Sequence, residues 1–123
     1  MITGGVNELR EAMVELTLRG RRRATATFEA VVDTGFTGYL TLPPSMVASL
    51  EIPWLRRGRA VLADGRSIVF DVHDATLLWD GRPRRVAVGV AESQPLIGMA
   101  LLDGFALTID VVPAGRVTIE RMS

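Results

Sequence analysis

The sequence contains no cysteine. That removes disulfide frameworks, thiolate nucleophiles and thiolate metal cages together. It contains one histidine, His73, too few for a histidine-based zinc set. No apolar run is long enough to span a membrane as a helix. The N-terminal stretch does not read as a secretory signal, because Asn7, Glu8 and Arg10 interrupt it at once. Formal net charge is zero, which argues against nucleic acid as the main partner. There is no Walker loop, no dinucleotide fingerprint and no nucleophile elbow. Linkers, low-complexity tracts and internal repeats are also missing. A reducing cytoplasm is the simplest expected location, with neither membrane nor nucleic acid as a partner.

What is present is period-two alternation, the mark of half-buried strands. The 123 residues fit one domain spanning 1–123 and suffice for a core. Ala12, Val14, Leu16 and Leu18 alternate with Glu11, Met13, Glu15 and Thr17. Beyond a turn at Gly20-Arg21, Ala24, Ala26, Phe28, Ala30 and Val32 continue the pattern to Asp33. A strand is expected at Tyr39–Leu42, then a helical turn opened by Pro43-Pro44-Ser45 and reaching about Leu50. Asp64-Gly65 and Asp80-Gly81 each read as a two-residue type I′ hairpin turn. The first lies between strands at Gly58–Ala63 and Arg66–Ala75, the second between Leu77–Trp79 and Arg84–Val90. Ile68, Phe70 and Val72 form one expected inward face, and Val86, Val88 and Val90 another. Ala91–Pro95 reads as a loop, Leu96-Ile97-Gly98 as a buried stub and Met99–Leu102 as one helical turn. Phe105, Leu107 and Ile109 alternate again before a last strand at Arg116–Arg121. Many short strands with regular turns imply an all-β, small closed barrel with one or two short helices.

The chemically informative feature is Asp33-Thr34-Gly35, delivered to a tight loop by the strand ending Val31-Val32. Gly35 admits a turn that a Cβ would obstruct, and Thr34 offers a hydroxyl. Taken alone, the triplet reads more readily as an Asx-type turn than as a site. It occurs once, so chemistry needing two such carboxylates needs two chains.

Its context resembles a known family. Val31-Val32-Asp33-Thr34-Gly35-Phe36-Thr37-Gly38-Tyr39-Leu40 is similar to the active-site segment of the retroviral-type (retropepsin-like) aspartic proteases. It is closest to their small prokaryotic branch with an Asp-Thr-Gly-Phe loop. Pro95-Leu96-Ile97-Gly98-Met99-Ala100-Leu101-Leu102 resembles the second signature, two hydrophobic residues and a glycine leading into a short helix. Phe105–Asp110 also fits, and the Ala63-Asp64-Gly65-Arg66 hairpin lies where the family has its flap. The resemblance runs from about Glu11 to the C-terminus.

That resemblance implies an aspartic peptidase, a hydrolase working as a homodimer without cofactor or metal. Asp33 corresponds to the catalytic acid, Thr34 to the residue bonding across the two-fold axis, and Gly35 to the loop glycine. Leu96, Ile97 and Gly98 correspond to the segment bracing the loop. Two facing carboxylates cannot both ionise cheaply, so they share one proton and activate a water against a peptide bond. The peptide or protein substrate would lie under the flap, against Ala63, Asp64, Gly65 and Arg66. Phe36 departs from the retroviral pattern, where a small residue follows the triplet; its ring either lines the pocket or packs inward. Two other readings stand beside the peptidase. One is a dimeric peptide-binding or regulatory module with Phe36 in its groove and little or no turnover. The other is a monomeric barrel in which Asp33 only makes a turn.

Other residues carry blander readings. Arg21-Arg22-Arg23 reads as a solvated hairpin tip, and Arg56, Arg57 and Arg59 as a solvated loop. Asp71 and His73 share a strand face while Asp74 points away, a pattern matching no closed metal set. Trp79 is expected to pack on its hairpin, and Trp54 is a possible groove contact. Asp110 is expected to bond the C-terminal turn. Met1–Leu9 and Arg116–Ser123 are candidate dimer seams, the C-terminal strand preferred.

Overall fold

The computed structural model describes residues 1–123. Its strands are β1 (Ile2–Val6), β2 (Ala12–Arg19), β3 (Thr25–Val32), β4 (Leu40–Leu42), β5 (Trp54–Val61), β6 (Ser67–Trp79), β7 (Arg82–Val90), β8 (Leu96–Ile97), β9 (Phe105–Ile109) and β10 (Arg116–Arg121). Two short helices, α1 (Pro44–Ser49) and α2 (Met99–Leu102), interrupt them. Pro44 sits in the first turn of α1, where its missing N–H costs nothing.

Six strands close on themselves: β6 pairs in turn through β7, β4, β8 and β3 to β2, and β2 returns to β6. This is the small closed β-barrel that the alternation implies. β5 extends β6 as an outer arm, while β1, β10 and β9 extend β2 as an outer sheet. One edge of β2 is divided between them. Its first half pairs with β1 through Gly4↔Val14 and Val6↔Ala12, and its second half with β6 through Thr17↔Leu78 and Arg19↔Thr76. Inside, Val14, Leu16 and Leu18 of β2 meet Leu40, Leu42, Leu77, Val88, Ile97 and Ile119 in one core cluster.

Several elements differ from the sequence-based expectation, each for a physical reason. β6 is one continuous strand rather than two, because β5 supports its first half and β7 and β2 its second. β1 was not expected as a strand; two glycines, Gly4 and Gly5, dilute its apolar pattern. β5 begins at Trp54 rather than Gly58, so Arg56, Arg57 and Arg59 lie on a strand and not on a loop. The Asp80-Gly81 turn is type I′ as read, with φ of 52° and 79°. At the other hairpin only Gly65 has positive φ, 86°. Its turn is a three-residue loop, Ala63–Gly65, closed by Gly65 N–H to Leu62 C=O (2.9 Å) and Leu62 N–H to Arg66 C=O (2.7 Å). Asp64 accepts from the Arg66 N–H (3.0 Å) and Nε (2.6 Å), an Asx-type bond, and does not take positive φ. The C-terminal strand β10 is flanked by β1 and β9, so most of its length is paired on both sides.

Leu18 is fully buried where β2 meets both β3 and β6. Leu18→Ala is expected to cost about 2–5 kcal/mol of stability, measured by urea denaturation.

Candidate active site

β3 carries the chain to Asp33 and cannot continue, because the next residues turn on their own side chain. Asp33 Oδ1 accepts the Gly35 N–H at 2.9 Å and the Asp33 carbonyl accepts the Phe36 N–H at 3.1 Å. This is an Asx turn, and it commits one carboxylate oxygen. Gly35 is not in a left-handed conformation. It is small because a Cβ there would stand 3.2 Å from Asp33 Oδ1, crowding the turn's acceptor. Asp33 is half-buried, while Thr34 and Gly35 are exposed at the tip.

A second segment is woven against this loop by main-chain bonds. Parallel β3–β8 pairing sets Val31 beside Leu96 and Val32 beside Ile97. The Val31 and Asp33 N–H groups donate to the Pro95 and Ile97 carbonyls, both at 2.9 Å. Beyond them Gly98 N–H donates to Tyr39 C=O (3.0 Å), Met99 N–H to Phe36 C=O (2.8 Å) and Ala100 N–H to Gly38 C=O (3.1 Å). Ile97 is fully buried and also pairs with Leu40 of β4. The loop is thereby held on both sides of its tip. Phe36 lies in the middle of the weave. A Cβ on Gly38 or on Gly98 would come within 2.6 Å of the Phe36 ring, and one on Gly98 would also run into the Gly38 carbonyl. The half-buried ring uses the space that these two glycines leave.

Beside the loop opens a groove of about 600 Å³. Phe36–Thr41 form one wall, the arm strands β5 and β6 another, and β7 its floor through Ala87, Gly89 and Val90. Asp33 adjoins this groove through Phe36 but is not part of its lining.

A solved structure, a retropepsin-like aspartic protease from Rickettsia conorii, superposes on this chain with a TM-score of 0.63, covering 99% of this chain and 91% of that one at 14% identity. The fold is retropepsin-like. No family model matches the sequence, and neither does any curated protein.

Within the retropepsin-like fold, residues 33–38 and 96–98 come together, far apart as they are in sequence. Phe36 does both things open to it: its ring packs inward on Gly38 and Gly98 and also lines the groove. The four flap-tip residues stand elsewhere. Ala63, Asp64, Gly65 and Arg66 are exposed and none lines the groove. The arm meets the groove lower down, through Gly58, Ala60, Ile68 and Phe70. Gly58 faces Phe70 across the β5–β6 pair, and a Cβ on it would lie 2.6 Å from that ring. The floor residues Ala87 and Gly89 had a signal in the sequence, since small residues alternate there with Val86, Val88 and Val90.

The other candidates have separate occupations. Trp54 is exposed, lies off the groove lining and donates its indole N–H to Asp71 at 3.1 Å. Trp79 is buried on its hairpin, its ring meeting that of Phe105 edge to face with the centroids 5.6 Å apart. His73 Nδ1 lies 2.7 Å from the Ile52 carbonyl oxygen. Asp74 pairs with Arg85, and that hydrogen bond and charge hold the guanidinium above its ordinary value. Asp71, His73 and Asp74 do not converge, and no three His, Cys, Asp or Glu side chains cluster as a metal set would. Asp110 joins the C-terminal turn through its main chain, its N–H donating to Arg116 C=O at 2.9 Å. Arg21–Arg23 form an exposed single turn at the β2–β3 hairpin tip.

Gly98→Ala is expected to lose about 1–3 kcal/mol of stability, because backbone rather than a flexible side chain stands in the way. Chemical denaturation measures it, and an unchanged midpoint would contradict the weave described above.

Proposed function

We propose that the protein is an aspartic endopeptidase assembled from two copies of this chain, one Asp33 from each. The observation carrying this reading is the presentation of a lone aspartate on a loop clamped by the 95–100 segment, beside an open groove, in a retropepsin-like fold. A loop so tightly bonded holds its acid in one place, and preorganised position is what general acid–base chemistry needs. The tip is free of intramolecular cover: Thr34, Gly35 and the neighbouring Met99 are all exposed. In a symmetric pair the same surface meets itself, so Thr34 can bond across the axis and the two Asp33 side chains face each other.

The chemistry then follows from electrostatics. Two carboxylates in hydrogen-bond reach repel if both are ionised, so the pair keeps one proton. The ionised member takes a proton from a water held between them, and that water attacks the scissile carbonyl. The protonated member donates a hydrogen bond to the carbonyl oxygen and stabilises the oxyanion. The substrate is an extended peptide, its main chain pairing with strand edges; β5 has such an edge beside the groove. Leu96, Ile97 and Gly98 act as positioning residues for the loop. No cofactor enters, and the protein works in the cytoplasm as a single domain over 1–123. The groove stays open alongside Phe36, which favours a working peptidase over a module plugged by that ring.

Asp33→Asn is expected to abolish cleavage of a peptide library while leaving the dimer intact by light scattering at micromolar concentration. Retained cleavage would remove Asp33 from the chemistry, and a monomer in the wild type would remove the dyad. Thr34→Ala is expected to weaken the dimer by about 1 kcal/mol, read by sedimentation; unchanged affinity would displace Thr34 from the axis. Activity requires one proton on the pair, so it is lost as that proton leaves. The rate is therefore expected to fall between about pH 5 and about pH 9; a steady rise across that range would contradict the shared proton.

A further inference from the structure

The groove is apolar along its length, through Gly58, Ala60, Ile68, Phe70, Val72 and Val90, yet its charged lining is all of one sign. Arg56, Arg57 and Arg59 line it, and no Asp or Glu does. In a chain of zero formal net charge that is a local imbalance. None of the three is spent on an ion pair within the chain; the pairs formed are Arg66–Asp64, Arg85–Asp74, and Arg121 and the Met1 ammonium with Asp80. Asp71 lies opposite Arg57 in register, but its carboxylate accepts the Trp54 indole N–H.

The three arginines are not equivalent. The β5–β6 register shifts between Trp54 and Arg56, setting Arg56 opposite Val72. Irregularities of this kind re-aim the side chains that follow. Beyond it the pleat alternates regularly, so the exposed Arg56 shares its face with the half-buried Gly58 and Ala60 on the groove side of the arm. Arg57 and Arg59 touch the lining from the opposite pleat of the same edge strand and do not share the face of Arg56. Charge on an edge strand also discourages stray strand pairing. That duty is indifferent to sign, and the sign is what distinguishes it from recognition.

We propose that the groove selects extended peptides in which an apolar side chain lies next to a carboxylate, with Arg56 reading the charge. This rests on the reading of the groove as a peptide site in an aspartic peptidase. Phe70, Val72 and the small floor residues Ala87 and Gly89 receive the apolar side chain; the guanidinium receives the neighbouring Asp or Glu as a charge-assisted hydrogen bond.

The test uses the full-length Asp33→Asn protein, so that binding is read without turnover. Three fluorescent peptides differ only in carrying Glu, Gln or Lys beside a Leu-Phe centre, and anisotropy gives their affinities. The Glu peptide is expected to bind about fivefold more tightly than the Lys peptide, in the range of an exposed ion pair, and the gap should shrink near 0.5 M salt as charges are screened (about 4–5 Å Debye length). Adding Arg56→Gln should level the three, and Arg56→Glu, which keeps a charge on the edge strand, should reverse their order. Arg23→Glu at the distant hairpin tip should change nothing. Equal binding of all three peptides, binding of none, or an order untouched by Arg56→Glu would each overturn the inference. The peptidase reading is judged separately by turnover: a wild-type chain that cleaves Glu and Lys peptides equally remains a peptidase without this selectivity.

Discussion

Everything at the site depends on main-chain hydrogen bonds between two loops distant in sequence. Strand β3 ends at Val32, just before Asp33, and the chain returns some sixty residues later to lie parallel to it at Leu96-Ile97. Parallel pairing is reached only through a long crossover, and here that crossover contains β4, β6 and β7 of the barrel and the arm strand β5. The loop's conformation is therefore not a local property of Asp-Thr-Gly. It is fixed by Ile97 and Gly98, which arrive last, and by Phe36, whose ring fits because Gly38 and Gly98 lack side chains. An Asx turn alone would place a carboxylate loosely. The weave places it with the stiffness of a sheet interior.

The groove obeys a different constraint. Its floor is barrel, built from β7 residues whose alternate neighbours Val86 and Val88 are core. Its outer wall is the arm formed by β5 and the first half of β6, which has no layer behind it. Val61 and Val69 are correspondingly exposed, at 70% and 58%. The two halves of the site thus differ in support: the acid stands on closed barrel, the arm on a single two-stranded ribbon. Ribbons of that kind are weak alone, which suits the proposed role of a wall that opens and closes on an extended chain.

Much of this was legible in the sequence, and the failures have identifiable causes. The barrel strands were readable because Val14, Leu16 and Leu18 alternate with Met13, Glu15 and Thr17, and Val86 and Val88 with the small Ala87 and Gly89, across a surface buried on one side. The Asp80-Gly81 turn was readable because both its residues take positive φ. The hairpin at Asp64-Gly65 was equally readable but its turn type was not, since Asp64 accepts from the Arg66 N–H and does not take the positive φ of Asp80. The start of β5 was hidden because an arm exposed on both faces shows no period; Trp54, Leu55, Arg56 and Arg57 are all exposed. The flap at Ala63–Arg66 was placed by resemblance alone; in the single chain the arm residues lining the groove include Gly58, Ala60, Ile68 and Phe70. Pairing partners were the least visible of all. Nothing in Arg116–Arg121 announces that β10 has neighbours on both sides, because neighbours are decided by topology and not by composition.

The divided edge of β2 has a mechanical corollary. A strand that gives half its length to the barrel and half to the outer sheet makes the two a single cooperative unit. Peeling β1 away would strip partners from the segment that backs Val31 and Ala30, just before the turn into Asp33. Strain applied at the far end of the molecule would therefore be felt as slack beneath the acid, and a contact that stiffens the outer sheet would tighten the same spot without touching it.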